Sequence, residues 1–196
     1  MKITLASGNR GKLAELRSLL APLGYTLTAQ ADMGINDVPE TGLTFIENAL
    51  IKARHAATQS GQAAIADDSG LCVDALGGAP GIYSARYAGL QASDAENNTK
   101  LIHELSGLQN RSARFVCVLV YLRSAQDPVP LIVSCEWRGK IIDTPAGDNG
   151  FGYDPHFYLD ALKCTSAQLS SGKKNTISHR GQACAQLCLQ LSALNT

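Results

Sequence analysis

Lys2-Ile3-Thr4-Leu5-Ala6-Ser7-Gly8-Asn9-Arg10-Gly11-Lys12 opens the chain with a short apolar run and breaks it with a polar, glycine-containing turn. Behind the turn, Leu13, Leu16, Leu19, Leu20 and Leu23 recur on one face of a helix, which Pro22 and Gly24 bring to a stop. Strand, turn and helix in that order are the opening unit of an α/β sheet. The pattern continues outward. Residues 25–29 read as a second strand and residues 32–42 as a loop rich in acids and breakers. Thr44-Phe45-Ile46-Glu47 has capping-box spacing and opens a helix to about Ser60, ended by Gly61. Residues 63–66 are apolar and predict a buried strand with Asp67, Asp68 and Ser69 at its exit, and residues 71–76 predict another. Residues 77–89 hold four glycines and a proline and read as a long loop. Ser93-Asp94-Ala95-Glu96 repeats the capping box and starts a helix to about Leu105. Residues 115–122 and 131–137 suit a sheet interior. Residues 139–142 prolong the second of these through a bend, 144–155 form another loop, and 177–194 form a closing helix. Helices and strands alternate early and strands run together later. The expectation is an α/β fold, a mixed central sheet flanked by helices, in a single domain over residues 1–196.

Composition narrows the function. In 196 residues, 17 Lys+Arg balance 17 Asp+Glu, so no net positive charge is available to hold nucleic acid through its phosphates. Hydrophobic residues at 45% exclude disorder as the main state. The longest apolar run, residues 115–122, is too short to span a bilayer. The N-terminus turns polar at Ser7, so no signal-peptide core is present and a cytoplasmic compartment is expected. In that setting the six cysteines read as free thiols, and the Cys184/Cys188 pair, sharing a helix face with Leu187 and Leu191, reads as core packing rather than a metal site.

Four constellations could carry chemistry. In the first, Ser7 to Lys12, glycines permit close backbone approach, the next helix aims free N–H groups at the turn, and Lys12 adds a charge. That suits a phosphate chain. It is not a Walker A loop, because Ala6 and Leu13 replace the first Gly and the Ser/Thr. The plainer reading is a strand–helix turn with a surface lysine. The second is the acidic set Asp37, Glu40, Glu47, Asp67 and Asp68. Carboxylates at a strand's carboxyl end lie where α/β sheets bind ligands; they match the oxygen preference of Mg²⁺, and one can take a proton from water. Glu47 is explained by its capping box, which leaves Glu40 and Asp68 as the sharper candidates against a solvated loop. The third is Gly150-Phe151-Gly152-Tyr153-Asp154, where two glycines expose an aromatic ring able to stack a nucleobase, or where the ring anchors the loop to the core. The fourth is Lys173-Lys174 with Ser178-His179-Arg180-Gly181. Cations beside a helix start oppose its dipole, which points to a ligand or to surface charges. Lys174 and Arg180 offer only donors, fit for phosphate or a keto oxygen. His179 reads equally as a core histidine.

Taken together, Ser7-Gly8-Asn9 with Lys12, Glu40-Thr41-Gly42 with Thr44-Phe45 and Glu47-Asn48-Ala49, Ala66-Asp67-Asp68-Ser69-Gly70, Gly77-Gly78-Ala79-Pro80-Gly81-Ile82-Tyr83-Ser84-Ala85-Arg86-Tyr87, Phe151-Gly152-Tyr153-Asp154-Pro155 and Ser178-His179-Arg180-Gly181 resemble the inosine/xanthosine triphosphate pyrophosphatase family. They span nearly the whole chain in the family's order. The resemblance implies hydrolysis of ITP, dITP and XTP to monophosphate and pyrophosphate, clearing damaged purines from the nucleotide pool. It implies a homodimer of elongated, two-lobed chains with the active groove between lobes. It implies that Ser7, Gly8, Asn9, Arg10, Gly11 and Lys12 hold the triphosphate and that Glu40 and Asp68 hold magnesium, with Asp68 as general base. It implies, too, that Ser69 touches substrate and that Phe151, Gly152, Tyr153, Asp154, Lys174, His179 and Arg180 form the nucleoside pocket. One position departs: the family commonly places an acid before the lysine matching Lys174, and here Lys173 stands there.

Two other readings share these residues. A septum-associated nucleotide pyrophosphatase, acting on modified pyrimidines or methylated bases, would carry more arginine after its first strand. A nucleotide-binding regulator would hold a triphosphate without cleaving it, and the Asp67-Asp68 pair argues against that.

Overall fold

Strand β1 (Lys2–Ala6) is buried from Ile3 onward and pairs in parallel with β2 (Thr26–Ala29) on one side and β3 (Ala63–Val73) on the other. This is a computed structural model, and it describes residues 2–7, 16–17 and 20–194. Seven strands form one mixed sheet in the order β2-β1-β3-β4-β5-β6-β7, with β4 at Ser112–Leu122, β5 at Leu131–Ile141, β6 at Phe157–Leu159 and β7 at Cys164–Thr165. The β5–β6 and β6–β7 pairs are antiparallel. Four numbered helices accompany the sheet: α1 (Phe45–Ser60), α2 (Asp94–Glu104), α3 (Ser171–Ile177) and α4 (His179–Leu194). The mixed α/β expectation holds.

The chain clusters into two compact units. The first comprises Met1–Asp68, Cys117–Ser134 and Ala183–Thr196; the second comprises Ser69–Val116 and Cys135–Gln182. In the first, α1 packs on β1 through Asn48, Ala49, Ala53, Ala56 and Ala57, side chains small enough for a helix to lie close to a sheet. Leu16 and Leu20 are helical and buried. Arg17 is helical as well, and Ala21–Leu23 is a 3-10 turn; residues 13–15, 18 and 19 of that predicted first helix, and the turn residues Gly8 to Lys12, lie outside the described residues. In the second unit, Leu71, Val73, Leu101, Leu105, Phe115, Trp137 and Phe157 belong to one core. All six cysteines are free, and Cys184 is buried, as is Leu187 near it on α4.

Both capping boxes are present. Thr44 accepts from the Glu47 N–H and Ser93 from the Glu96 N–H, each answered by the glutamate on the cap's own N–H. Two expectations are corrected. Residues 63–66 and 71–76 are not separate strands, because β3 runs unbroken to Val73 and 74–76 is a 3-10 turn. The closing helix does not begin at 177: Ser178, with φ −71° and ψ 161°, separates α3 from α4. The two helices meet so tightly there that a Cβ on Gly181 would lie 1.7 Å from the Asn175 carbonyl oxygen, so the break needs glycine at that position.

The turn after β4 holds a buried acid. Asp127, 3% exposed, accepts from the Arg123 and Val129 N–H groups and from the Arg123 guanidinium at 2.6 Å and 2.9 Å. Those bonds, led by the guanidinium, hold its carboxyl well below the usual carboxylate range. A lowered pKa gives stability that is present above the unfolded value of about 4 and is lost as pH falls through the folded one. Asp127→Asn is therefore expected to lower the urea midpoint at pH 7, with the gap to the parent closing as pH falls below about 4. A gap of constant size across that range would contradict the account.

Candidate active site

The first unit gathers an acid–lysine–acid cluster. The β1–β3 pairing ends at Ala6↔Ala66, so Asp67 and Asp68 lie just past the last β1 partner, at the carboxyl end of that parallel pair. They are thus at the end of β1 rather than at the exit of their own strand, as the sequence had suggested. Both are nearly buried, at 5% and 8% exposure. Lys52 of α1 reaches Glu40 Oε1 at 2.7 Å and Asp68 Oδ1 at 3.3 Å. Burial pushes the Asp68 carboxyl up. Lys52 pulls it back and Glu40 pushes it further, leaving a net rise. Burial works against the Lys52 ammonium, but the Asp68 charge, the Glu40 hydrogen bond and the Asp67 charge outweigh it, so its pKa is raised. Asp68 Oδ2 is buried and makes no hydrogen bond among the described residues. A carboxyl group held by one lysine, with a lone-pair oxygen uncommitted, is equipped to take a proton or to meet a cation.

Lys52 was not singled out from the sequence, although a signal was there. It sits three residues after Ala49 and four before Ala56, on the buried face of α1, where an unexplained lysine calls for an acidic partner. Ser7 follows β1 and Ser69 lies within β3, both half-buried. Glu47 is explained by its cap and Asp37 by a hydrogen bond from Gln30.

The second unit assembles the aromatic and basic residues. Phe151 is 58% exposed, flanked by Gly150 and Gly152 at φ 82° and 61°. Its ring is presented, not used as an anchor. Lys174 Nζ lies 5.3 Å from the ring centroid and the Arg180 guanidinium carbon 5.7 Å. Arg180 Nε is buried with no hydrogen-bond partner among the described residues.

Tyr153 and Asp154 lie inward. Tyr153 is buried, its hydroxyl donating to the Ser84 carbonyl at 2.8 Å. Asp154, 2% exposed, accepts from Ser166 Oγ at 2.7 Å, from the Phe151 N–H at 2.9 Å and from Lys174 Nζ. It supplies the partner that Lys173 cannot. Lys174 lies in the last turn of α3, where the helix dipole favours a cation, so the conflict with a helix start expected from the sequence is absent at this residue. Gly150 makes room for this pairing, since a Cβ there would lie 2.1 Å from Asp154 Oδ2. His179 is 6% exposed and stacks on Phe115, centroids 4.9 Å apart at 10°, with Trp137 at 6.3 Å. Of its two sequence readings, these contacts are those of a core histidine.

If the exposed ring stacks a nucleobase, Phe151→Ala should weaken nucleotide affinity by ~1–3 kcal/mol. Folding stability should move by no more than about 0.5 kcal/mol, as for an exposed side chain. Calorimetric titration and urea unfolding check both. A loss of ~3–5 kcal/mol in stability with unchanged affinity would mark a core ring.

Known proteins resemble this chain closely. A family profile described as Ham1 family matches residues 3–190. The dITP/XTP pyrophosphatase of Ralstonia nicotianae is 56% identical over 193 residues, covering 97% of this chain and 96% of that protein. The dITP/XTP pyrophosphatase of Nitrosomonas europaea is 53% identical over 195 residues, covering 100% and 96%. Among solved structures, a HAM1 protein from Coxiella burnetii superposes with a TM-score of 0.96 at 48% identity, covering 98% of this chain and 99% of that one. The Staphylococcus aureus Ham1 protein gives 0.92 at 42% identity, covering 99% and 100%. On a profile match along almost its full length and relatives more than half identical, this chain belongs to the Ham1 family.

Proposed function

We propose that this chain hydrolyses the non-standard purine nucleoside triphosphates ITP, dITP and XTP to the monophosphate and pyrophosphate. The observation that carries the reading is the buried Asp68 carboxylate, held by Lys52 beside Glu40, in a chain 56% identical to a dITP/XTP pyrophosphatase. Water attacks the α-phosphorus, an oxygen–phosphorus bond forms, and the bond to the pyrophosphate oxygen breaks. Asp68 orients that water and accepts its proton. Burial and the Glu40 charge, which raise its pKa, make it a stronger base than an exposed aspartate.

Glu40 and Asp68 fit a magnesium site of the kind that takes one or two carboxylates and completes its octahedron with water and substrate phosphates. Asp68 Oδ2 is the uncommitted oxygen for it, and among the described residues no group of three acidic, His or Cys side chains is arranged as an all-protein cage. Bound there, magnesium supplies charge neutralisation on the triphosphate. Lys12, by the family resemblance, contributes charge to the same chain of phosphates.

Phe151 stacks the base, while Lys174 and Arg180 donate to a 6-oxo group. Adenine offers an amine where those donors need an acceptor, and a mismatch of that kind in a closed site discriminates by ~10⁴ or more. Guanine shares the 6-oxo group, so its rejection must act on the 2-amino group. A homodimer belongs to the same reading through the family resemblance, and a cytoplasmic compartment is proposed with it. Among the described residues no helix is long and apolar enough to cross a membrane.

The test is a steady-state panel with purified protein and Mg²⁺. ITP, dITP and XTP should be turned over with kcat/KM at least ~10²-fold above ATP. Equal rates on ATP, or a preference for methylated pyrimidine triphosphates, would overturn the substrate assignment.

A further inference from the structure

The turn that carries Phe151 is held from α2. Gly152 uses both of its main-chain groups on that helix: its N–H donates to Asp94 Oδ2 at 2.6 Å, and its carbonyl accepts from Asn98 Nδ2 at 2.9 Å. The two side chains are four residues apart and so share a helix face. Ser93 and Glu96 complete the cap of the helix, so the Asp94 carboxylate is not used as a cap; it sits in the first turn, where an acid suits the helix dipole, and reaches Gly152 from there. Asn98 has its Oδ1 buried without a hydrogen bond among the described residues, so the contact with Gly152 is made despite a desolvation cost.

The other half of the turn is held from within. The Phe151 N–H donates to Asp154 Oδ2 and the Asp154 N–H to the Phe151 carbonyl. Two left-handed glycines flank the ring, and glycine samples more backbone conformations than any other residue. The ring itself is mostly exposed, so apolar packing does not fix its direction. Main-chain hydrogen bonds do, and two of them come from α2.

We propose that Asp94 and Asn98 are positioning residues for the nucleobase platform. They pin Gly152 so that the Phe151 ring is set in one orientation before the nucleotide arrives. This rests on the nucleotide reading of Phe151 given above. Neither residue has to touch substrate. Their effect lies in pre-organisation: a turn already ordered loses less freedom on binding.

Four variants of the full chain test it: Asp94→Ala, Asp94→Asn, Asn98→Ala and Asn98→Asp. Asp94→Asn keeps an acceptor for the Gly152 N–H. Asn98→Asp keeps the shape, removes the donor and sets a carboxylate against the Gly152 carbonyl. For each, amide hydrogen exchange over residues 150–154 is followed alongside KM and kcat for inosine triphosphate. Asp94→Ala and both Asn98 variants should speed exchange there and raise KM ~3–10-fold, the loss of one modest hydrogen bond in each. Their kcat should stay within about twofold of the parent, which a general loss of structure would not allow. Asp94→Asn should return exchange and KM toward parental values. Unchanged exchange in all variants, or faster exchange with parental KM, overturns the proposal alone. A parent protein that hydrolyses no purine triphosphate overturns the nucleotide reading as well, and that is seen before any variant is made.

Discussion

Asp68→Asn is expected to lower kcat for inosine triphosphate by ~10²–10⁴-fold, the usual loss on removing a general base. Its magnesium requirement should rise as well, because one of two proposed carboxylate ligands is gone. The fold should survive. Asparagine keeps the shape and an oxygen for Lys52, which still holds Glu40 at 2.7 Å. Burial raises the Asp68 pKa, with Lys52 opposing and Glu40 adding to the rise. A group raised in the folded state contributes stability that is present below the unfolded pKa of about 4 and is lost as pH rises through the folded value. The ionised carboxylate therefore works against folding at neutral pH, and the amide should not reduce the melting temperature there. An inactive variant that is at least as stable as the parent would mark a side chain kept for chemistry. Near-parental turnover at saturating Mg²⁺ would remove Asp68 from the mechanism.

Asp154→Ala should do the reverse, striking stability first. Its carboxylate accepts from Ser166, from the Phe151 N–H and from Lys174, and only 3% of the side chain is exposed. Removing one partner of a buried ion pair leaves the other charge uncompensated and typically costs ~3–5 kcal/mol. The Lys174 side chain is itself only 16% exposed, so water does little to replace the lost acid. Urea unfolding should show a loss in that range. Affinity for inosine triphosphate should fall too, since the Phe151 turn and the Lys174 ammonium both lose their anchor. A variant that kept its stability and lost only affinity would make Asp154 a direct substrate contact, as the family resemblance implied, rather than the support under the pocket.

What the sequence revealed depended on how local the cause was. Thr44 with Glu47 and Ser93 with Glu96 act within one turn, and both helix starts were legible. The glycines beside Phe151 left an exposed ring and a core anchor as two readings, and only the structure, with the ring mostly exposed, decides for the first. The continuous β3 was not legible, because two adjacent acids read as a strand end. They are tolerated inside a strand because Lys52, 16 residues before Asp68, brings a positive charge to them. The break at Ser178 was hidden because a serine in a helical pattern is unremarkable. Only the approach of the Asn175 carbonyl to Gly181 explains it. The partner of Lys174 lies 20 residues away on a buried aspartate, a contact that no spacing rule predicts.

The central claim is that the bond broken lies between the α- and β-phosphates. Digestion of inosine triphosphate with Mg²⁺, followed by phosphorus NMR without added pyrophosphatase, tests it most directly. The account predicts inosine monophosphate and pyrophosphate appearing together, one to one, with no diphosphate intermediate. Inosine diphosphate and orthophosphate as first products would contradict it.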